Sequence, residues 1–288
     1  MLTVFTPVYN RAYIIRNLYE SLCRQSDKDF EWIVVDDGSS DDIDAVMNGF
    51  INEGKVDIRY FKQSNGGKHR AINLGVKHAR GDFFFVVDSD DYVTDEAIEW
   101  INKTSSDLKE KRSFAGFSGL RVNPDGTKMD GGPVFDIIGS DAIDIRLKHK
   151  VPGELAEVYR TSVLKDFPFP DIPGEKFCSE GLVWRRIALA GYGMKYFYKA
   201  LIVCEYRADG LTMSRVGNRQ LSPEYSMLLY KEGLRCSRYP IKLKLKNALL
   251  YWRYSEKSER SFKDKAKDIP FYYWPLYLPA VILRLAKR

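Results

Sequence analysis

Three carboxylates stand within four residues, directly after an unbroken apolar run. Phe83–Val87 reads FFFVV and is followed by Asp88, Ser89, Asp90 and Asp91. A run of this kind is typical of a strand buried on both faces, and ligands of open α/β sheets bind where such strands end. Clustered carboxylates repel one another unless a cation joins them. The spacing predicts a site for Mg²⁺ or Mn²⁺ with a phosphate-bearing substrate, and the alternative is a solvated turn.

A second acidic pair follows another apolar segment. Phe30–Val35 reads FEWIVV and leads into Asp36 and Asp37. If the two strands lie in one parallel sheet, both acidic groups face the same crevice. Asp37 could then accept hydrogen bonds from a base or ribose, and the alternative is that it caps the next helix.

Alternating strands and helices would position these groups. The expected strands are Leu2–Val8, Phe30–Val35, Val56–Phe61 and Phe83–Val87, and the expected helices are Ala12–Arg24, Ile43–Asn52 and Lys68–Ala79. This alternation predicts a parallel sheet with helices on both faces. Further on we expect helices over Asp95–Lys111, Asp141–Lys148 and Ser179–Ala190, strands over Phe114–Val122, Ala156–Arg160 and Lys195–Tyr206, a loop over 124–139, and only helices beyond Pro223.

Composition and charge exclude several classes of protein. Residues 240–288 carry 12 Lys and Arg against 4 Asp and Glu, a balance of +8, whereas the rest of the chain has a balance of −2. This distribution argues against a uniformly basic nucleic-acid binder. The four cysteines lack metal-ligand spacing, and no G-x-G-x-x-G follows an expected strand, which argues against a dinucleotide oxidoreductase. We expect a cytoplasmic protein without a signal peptide.

Four sequence blocks carry a family resemblance. Thr6–Arg11, Val34–Asp41, Asn65–His69 and Val87–Asp91 resemble, in order and spacing, the family 2 inverting glycosyltransferases over residues 1–95. The resemblance implies an α/β GT-A fold, with a Rossmann-like, mostly parallel central sheet flanked by helices. We expect the glycosyltransferase domain to cover residues 1–220. Residues 221–288 are expected to form a helical, basic and aromatic C-terminal appendage.

The resemblance also implies roles for individual residues. Residues at the nucleotide would be Pro7, Tyr9, Asn10, Asp37, Lys68, His69, Asp88 and Ser89. Residues at a Mn²⁺ or Mg²⁺ ion on the diphosphate would be Asp88, Asp90 and Asp91. Arg215 would belong to a loop that closes over the diphosphate.

An inverting transfer needs a general base, which takes the proton of the acceptor hydroxyl as its oxygen attacks the sugar. The family usually offers a Glu-Asp pair at a helix start, and here Glu180 matches the first acid while Gly181 replaces the second. We therefore assign the base to Glu180, with Glu175 and Glu154 as alternatives. Trp184, at helical spacing, is expected in the core.

The expected activity is transfer of a sugar from a UDP-linked nucleotide sugar to a hydroxyl acceptor in cell-surface polysaccharide or glycolipid synthesis. Two alternatives stay open. A sugar-phosphate nucleotidyltransferase would have a similar sheet, but the segment after the first strand lacks the glycines of a phosphate loop. A non-catalytic nucleotide-sugar binder is the second, and Gly181 favours it.

The C-terminal region combines cations with aromatic residues. Phe271–Leu283 is an apolar and aromatic run, interrupted by Pro275 and Pro279 and too short to span a bilayer. Aromatic rings beside Lys and Arg suit a membrane interface. We expect peripheral contact with the inner face of a membrane through 240–288, and the alternative is that the run packs back on the body.

Overall fold

The computed structural model describes residues 1–204 and 215–285, with the backbone alone for 215, 216 and 283–285. The strands are β1 (Leu2–Val8), β2 (Phe30–Asp36), β3 (Ile58–Lys62), β4 (Phe83–Val86), β5 (Tyr92–Val93), β6 (Phe114–Val122), β7 (Ile137–Ser140), β8 (Leu155–Arg160) and β9 (Gly193–Val203). The α-helices are α1 (Ile15–Cys23), α2 (Ile43–Glu53), α3 (Lys68–His78), α4 (Ala97–Leu108), α5 (Asp144–Leu147), α6 (Thr161–Asp166), α7 (Gly181–Leu189), α8 (Arg215–Leu221), α9 (Pro223–Arg235), α10 (Ile241–Ser255), α11 (Phe262–Lys267) and α12 (Tyr277–Leu285). A 3-10 helix covers Phe271–Leu276.

Within the described residues, nine strands form one mixed sheet. Its order is β3-β2-β1-β4-β8-β6-β9-β5, with β7 paired to β9. Strands β1 to β4 run parallel. The apolar segments of β1, β2 and β4 fit this arrangement, because strands covered on both faces need apolar side chains on both. Strand β8 is antiparallel to β4 and β6, which makes the second half mixed. The α/β prediction is confirmed.

The strand register brings the predicted acidic segments to one edge of this sheet. Val8 of β1 pairs with Asp36 of β2, and Phe5 of β1 pairs with Val86 of β4. The chain therefore leaves β1, β2 and β4 on the same side, and the turns that follow these strands converge.

Close packing on both faces of the sheet keeps these strand ends in place. Helix α3 lies against β1 at Gly75, where a Cβ atom would come 2.3 Å from the ring of Phe5. On α1 and α2, the rings of Tyr19 and Phe50 stack with centroids 3.9 Å apart beside the buried Trp32. A side chain at Gly75 would push α3 away from the sheet, and with it the loop that precedes α3.

The chain divides into two compact units. One consists of Met1–Phe169 with Val183–Arg207, and the other of Pro170–Leu182 with Ala208–Arg288. The division of domains at residue 220 stays a prediction. Within the described residues, no helix has both the length and the apolar character needed to cross a membrane.

The second unit has an aromatic core of its own. Trp252 of α10 donates a hydrogen bond from Nε1 to the carbonyl oxygen of Tyr273 at 3.0 Å, and its ring stacks on Phe262. Tyr225 of α9 donates to the carbonyl oxygen of Pro170 and accepts from the backbone N–H of Ile172, at 2.8 and 2.9 Å. The segment before α7 is thereby tied to α9.

The structure corrects several predicted boundaries. The expected loop over 124–139 contains the start of β7, a four-residue strand whose first residue, Ile137, is exposed. Helix α4 begins at Ala97 rather than Asp95. Helix α1 begins at Ile15 rather than Ala12, because Asn10 turns the chain with a positive φ of 53°.

Candidate active site

Asp37 organises the loop that precedes α3. Its buried carboxylate accepts hydrogen bonds from the backbone N–H groups of Gly66 and Gly67, both at 2.7 Å, and from Nε2 of Gln63 at 2.7 Å. The backbone of Gly67 has a φ of 98°, which a residue without a side chain adopts readily. Asp37 therefore fixes the shape of this loop, in addition to any contact with a ligand.

The turn after β1 is joined to the turn after β2. The backbone N–H of Asn10 donates to Oγ of Ser39 at 2.9 Å, and Oδ1 of Asn10 accepts from the backbone N–H of Ser40 at 2.8 Å. Tyr9, which precedes this junction, is 51% exposed, and Pro7 is half-buried. A large aromatic ring is thus presented to solvent beside a rigid double turn, as a stacking platform for a planar ligand requires.

Two cations hold the first carboxylate of the acidic turn. Nζ of Lys68, the first residue of α3, lies 2.5 Å from Oδ1 of Asp88, and Nη2 of Arg121 lies 3.1 Å from Oδ2. Burial opposes the charge, but Lys68 and Arg121 together hold the pKa of Asp88 well below its usual range. Asp88 is therefore an ionised acceptor at any pH near neutrality.

Asp90 and Asp91 differ in their surroundings. Burial, with the negative charges of Asp88 and Asp90, raises the pKa of Asp91 to about 6, although its carboxylate contacts Arg121. Asp90 is 23% exposed, and its ion pair with Arg11 is loose at 3.8 Å. Ser89, between Asp88 and Asp90, is buried. Asp90 is thus the carboxylate of the turn with the longest ion-pair distance, whereas Asp88 is held by two closer cations.

Sequence reasoning missed Arg121 of β6. Besides Asp88 and Asp91, its guanidinium contacts Oε2 of Glu154 at 3.1 Å and Sγ of Cys204 at 3.3 Å. Its side chain is 12% exposed, and the carboxylates around it keep its pKa well above the ordinary value despite burial. The sequence did contain a signal for it, since Arg121 is the one charged residue in a strand of apolar and small residues, FAGFSGLRV. An arginine buried in such a strand requires buried carboxylates as partners.

His69 and Trp184 belong to an aromatic cluster. The His69 ring is buried, with its centroid 6.5 Å from that of Phe169. Trp184 stacks on Tyr159 at 4.2 Å and meets Phe169 edge-on at 6.0 Å, in agreement with its expected place in the core. Two reciprocal hydrogen bonds of 2.9 Å join the backbone of Phe169 to the side chain of Asn73 on α3.

The carboxylates considered for the base lie in different settings. Glu175 is buried and accepts the backbone N–H groups of Glu224 and Tyr225 at 2.7 and 2.8 Å, so that it caps α9. Burial raises the pKa of Glu175, while these two hydrogen bonds lower it. Glu180 is half-buried immediately before α7, and Glu154 is paired with Arg121.

At Gly181 an added Cβ atom would meet only Oγ of Ser179, at 3.7 Å, which is ordinary contact. The position can therefore accommodate the acid that the family resemblance leads one to expect there. The side chain of Arg215 and the loop before it lie outside the described residues.

A divalent cation would have to be completed by its substrate. Among residues 1–204 and 215–285, no three His, Cys, Asp or Glu side chains form a ready metal centre. Mg²⁺ in phosphate-transfer sites is commonly held by one or two carboxylates, with phosphate oxygens and waters as the other ligands. Asp90, half-buried and loosely paired, fits this kind of site, and Asp88 could join it if Lys68 moved to the phosphate.

Comparison with known proteins agrees with this geometry. Residues 3–106 match the family model described as glycosyl transferase family 2. Over these residues the chain has the sequence pattern of a family 2 glycosyltransferase domain. This match covers the strand ends and turns that carry Asp37, Asp88 and Asp90, and it extends into α4.

Individual relatives are longer than the chain. The poly(ribitol-phosphate) beta-N-acetylglucosaminyltransferase TarS of Staphylococcus aureus is 29% identical over 170 residues, which are 57% of this chain and 28% of TarS. An uncharacterized glycosyltransferase of Rickettsia felis is 40% identical over 97 residues, which are 34% of this chain and 16% of that protein. The chain thus spans less than a third of the length of either relative.

Solved structures share the GT-A fold. S. aureus TarS 1-349 in complex with UDP-GlcNAc superposes with a TM-score of 0.64 at 20% identity, covering 97% of this chain and 79% of that one. The mannosyltransferase PcManGT from Pyrobaculum calidifontis, in complex with GDP-Man and Mn²⁺, gives a TM-score of 0.56 at 16% identity, covering 99% and 86%.

Proposed function

We propose that this glycosyltransferase moves a sugar from a UDP-linked nucleotide sugar to a hydroxyl group of a cell-surface polysaccharide or glycolipid, with inversion. The observation that carries the proposal is the convergence of Asp37, Lys68 and the acidic turn at the ends of β1, β2 and β4, within the matched domain. The UDP-GlcNAc complex of a structural neighbour supports UDP as the nucleotide.

The donor would lie across the two joined turns. Tyr9 offers an exposed ring to the base, with Pro7 and Asn10 beside it, and the ordered loop held by Asp37 forms the adjoining wall. Asp88 accepts hydrogen bonds from the ribose, and Lys68, released from Asp88, neutralises a phosphate. Ser89 and His69, both buried, shape the floor of this pocket.

We assign the divalent cation, Mn²⁺ or Mg²⁺, to Asp90, with Asp88 and Asp91 as its neighbours in the turn. When bound, it would supply Lewis-acid stabilisation to the leaving diphosphate. Support comes from the loose pairing of Asp90 and from the Mn²⁺ in the PcManGT complex.

Glu180 is the proposed general base. It is half-buried immediately before the first residue of α7. A carboxylate can accept the proton because the hydroxyl becomes acidic only as the bond to the sugar forms. Inversion follows if the acceptor attacks opposite the leaving diphosphate.

A non-catalytic nucleotide-sugar binder is the second candidate, and Gly181 is the observation that favours it. Such a protein would keep the donor contacts and lack transfer. The variant Gly181→Asp separates the two, because the position has room for the side chain. An enzyme that uses Glu180 is active as wild type, whereas a binder that has lost its base is inactive as wild type and gains activity at most in this variant.

We also propose a cytoplasmic location with peripheral contact to the inner face of a membrane through 240–288, where a lipid-linked acceptor would lie. The basic balance of this region supports it, since cations near anionic lipid each contribute about 1 kcal/mol.

A screen of nucleotide sugars tests the proposal. The full chain is incubated with UDP- and GDP-linked sugars in Mn²⁺ and, separately, in EDTA, and thermal shift and release of nucleoside diphosphate are recorded. We expect one UDP-sugar to raise the melting temperature and to be slowly hydrolysed in Mn²⁺ alone. Stabilisation without hydrolysis in every donor and acceptor mixture would favour the binder, and no stabilisation at all would refute both.

A further inference from the structure

The last two helices carry large apolar side chains that the second unit does not bury. Phe271 is 74% exposed, Leu278 67% and Ile282 64%. With the half-exposed rings of Tyr272 and Trp274, they form what we call the outer apolar face: Phe271, Tyr272, Trp274, Leu278 and Ile282. Exposed apolar groups on consecutive elements mark a surface for another molecule or a lipid phase.

This face is held in place by the core of the unit. Tyr273 and Ala280, which alternate with its members along the chain, are buried in the aromatic core around Trp252. Nε1 of Trp274 donates to the carbonyl oxygen of Ala266 at 2.9 Å, so the indole is anchored at its polar end while its ring reaches solvent. One side of the run is therefore buried within its own unit, and the other side reaches solvent.

Charge indicates what covers this face. No Asp or Glu follows Asp268 in the sequence, so Phe271–Ile282 lies in a stretch without carboxylates. On α10 and α11 of the same unit, the exposed side chains include Lys242, Lys246 and Lys263. If a second copy of the chain covered this face, residues 240–288 of both copies, each with a balance of +8, would repel one another. An anionic lipid surface instead complements both the cations and the apolar groups.

We propose that the outer apolar face inserts into the headgroup region of an anionic bilayer, with the lysines of α10 and α11 on the lipid phosphates. Trp and Tyr favour this depth because their rings are apolar and their polar ends stay hydrated. The inference deepens the proposed membrane location and does not depend on sugar transfer.

Vesicle flotation with the full chain tests the inference. Wild type is compared with Phe271→Ser/Leu278→Ser/Ile282→Ser on phosphatidylcholine vesicles with and without phosphatidylglycerol. We expect at least a tenfold loss of partitioning for this variant on anionic vesicles, and weak binding of both proteins to neutral ones. The matched control replaces three exposed apolar residues of the other unit: Ile51→Ser/Val134→Ser/Leu189→Ser. It should bind within twofold of wild type.

Two further measurements keep the test independent of folding in the serine variant. Lys242→Gln/Lys246→Gln/Lys263→Gln leaves the apolar face intact and should lower binding to anionic vesicles by several-fold. Brominated phosphatidylglycerol should quench wild-type tryptophan fluorescence, and Trp274→Phe should lose most of that quenching. Equal binding of wild type and the apolar variant would overturn the assigned face and leave the membrane location standing. No binding of wild type, or light scattering that shows an oligomer dissociated by the apolar variant without vesicle binding, would overturn both.

Discussion

Replacement of Arg121 by glutamine removes the cation at the centre of the acidic turn. The guanidinium faces Asp88, Asp91 and Glu154, and its side chain is 12% exposed. Glutamine keeps part of the length and the hydrogen-bonding capacity while removing the charge. The carboxylates then face one another with Lys68 as their remaining close cation on α3.

The expected cost follows from what each carboxylate can do in response. Removal of one partner from a buried ion pair typically costs about 3–5 kcal/mol. Asp91, whose pKa is already raised to about 6, escapes part of this cost by taking up a proton. Asp88 keeps Lys68, and Glu154 is 54% exposed and regains water. We therefore expect the free energy of unfolding to fall by about 3 kcal/mol, at the lower end of that range.

Urea unfolding measures this loss, and calorimetric titration with UDP measures the effect on the site. We expect UDP affinity to fall along with stability, because Asp88 loses the contact that orients it. The matched control is Arg24→Gln, whose ion pair with Asp95 is exposed on both sides and should contribute at most about 1 kcal/mol. A loss below 1 kcal/mol for Arg121→Gln, or unchanged UDP affinity, would refute the reasoning.

Three further predictions concern other carboxylates. Asp90→Ala should abolish turnover and weaken UDP binding in Mn²⁺, and EDTA should reproduce both effects on wild type; full activity in EDTA would contradict the metal assignment. Glu180→Gln should lower kcat by roughly 10²–10⁴ with UDP affinity nearly unchanged, and a loss of only a few-fold would move the base elsewhere. Burial opposes the charge of Glu31, but the backbone N–H of Arg80, the Thr3 hydroxyl and the Arg59 and Arg80 side chains lower its pKa overall. The ionised Glu31 therefore stabilises the fold at pH values above its ordinary pKa, and this stabilisation is lost as the pH falls through its lowered pKa in the folded protein. The melting temperature of Glu31→Gln should not show this loss at acid pH.

The parallel half of the fold was predictable because its signal is local. Leu2–Val8 was predicted with the bounds that the structure has, since burial on both faces forces a largely apolar segment whatever the partner strand is. Strand β7 was missed because an edge segment with Ile137 in solvent carries no such pattern. Pairing with β9, distant in the chain, decides its conformation.

The acidic residues of the candidate site were predictable from the sequence, but the ion pairs that join them to Arg121 were not. The turns after β2 and β4 were placed at one edge by strand order alone. Arg121 enters this edge from a later strand, and its pairing with Asp88 is a tertiary contact that spacing does not encode. The C-terminal run was open to two interpretations because composition cannot say which side of Phe271–Leu276 faces the core.

The hydrogen bonds of Asp37 constrain how the nucleotide preference of the proposed donor site could change in evolution. A substitution there removes the acceptor for two backbone amides and so loosens the whole loop from Gln63 to Gly67, whatever nucleotide is bound. Loss of activity in such a variant would not by itself identify a contact with the base. Substitution of the exposed Tyr9 could change the nucleotide preference more readily, because its ring can be replaced without loss of the hydrogen bonds that hold the neighbouring turns.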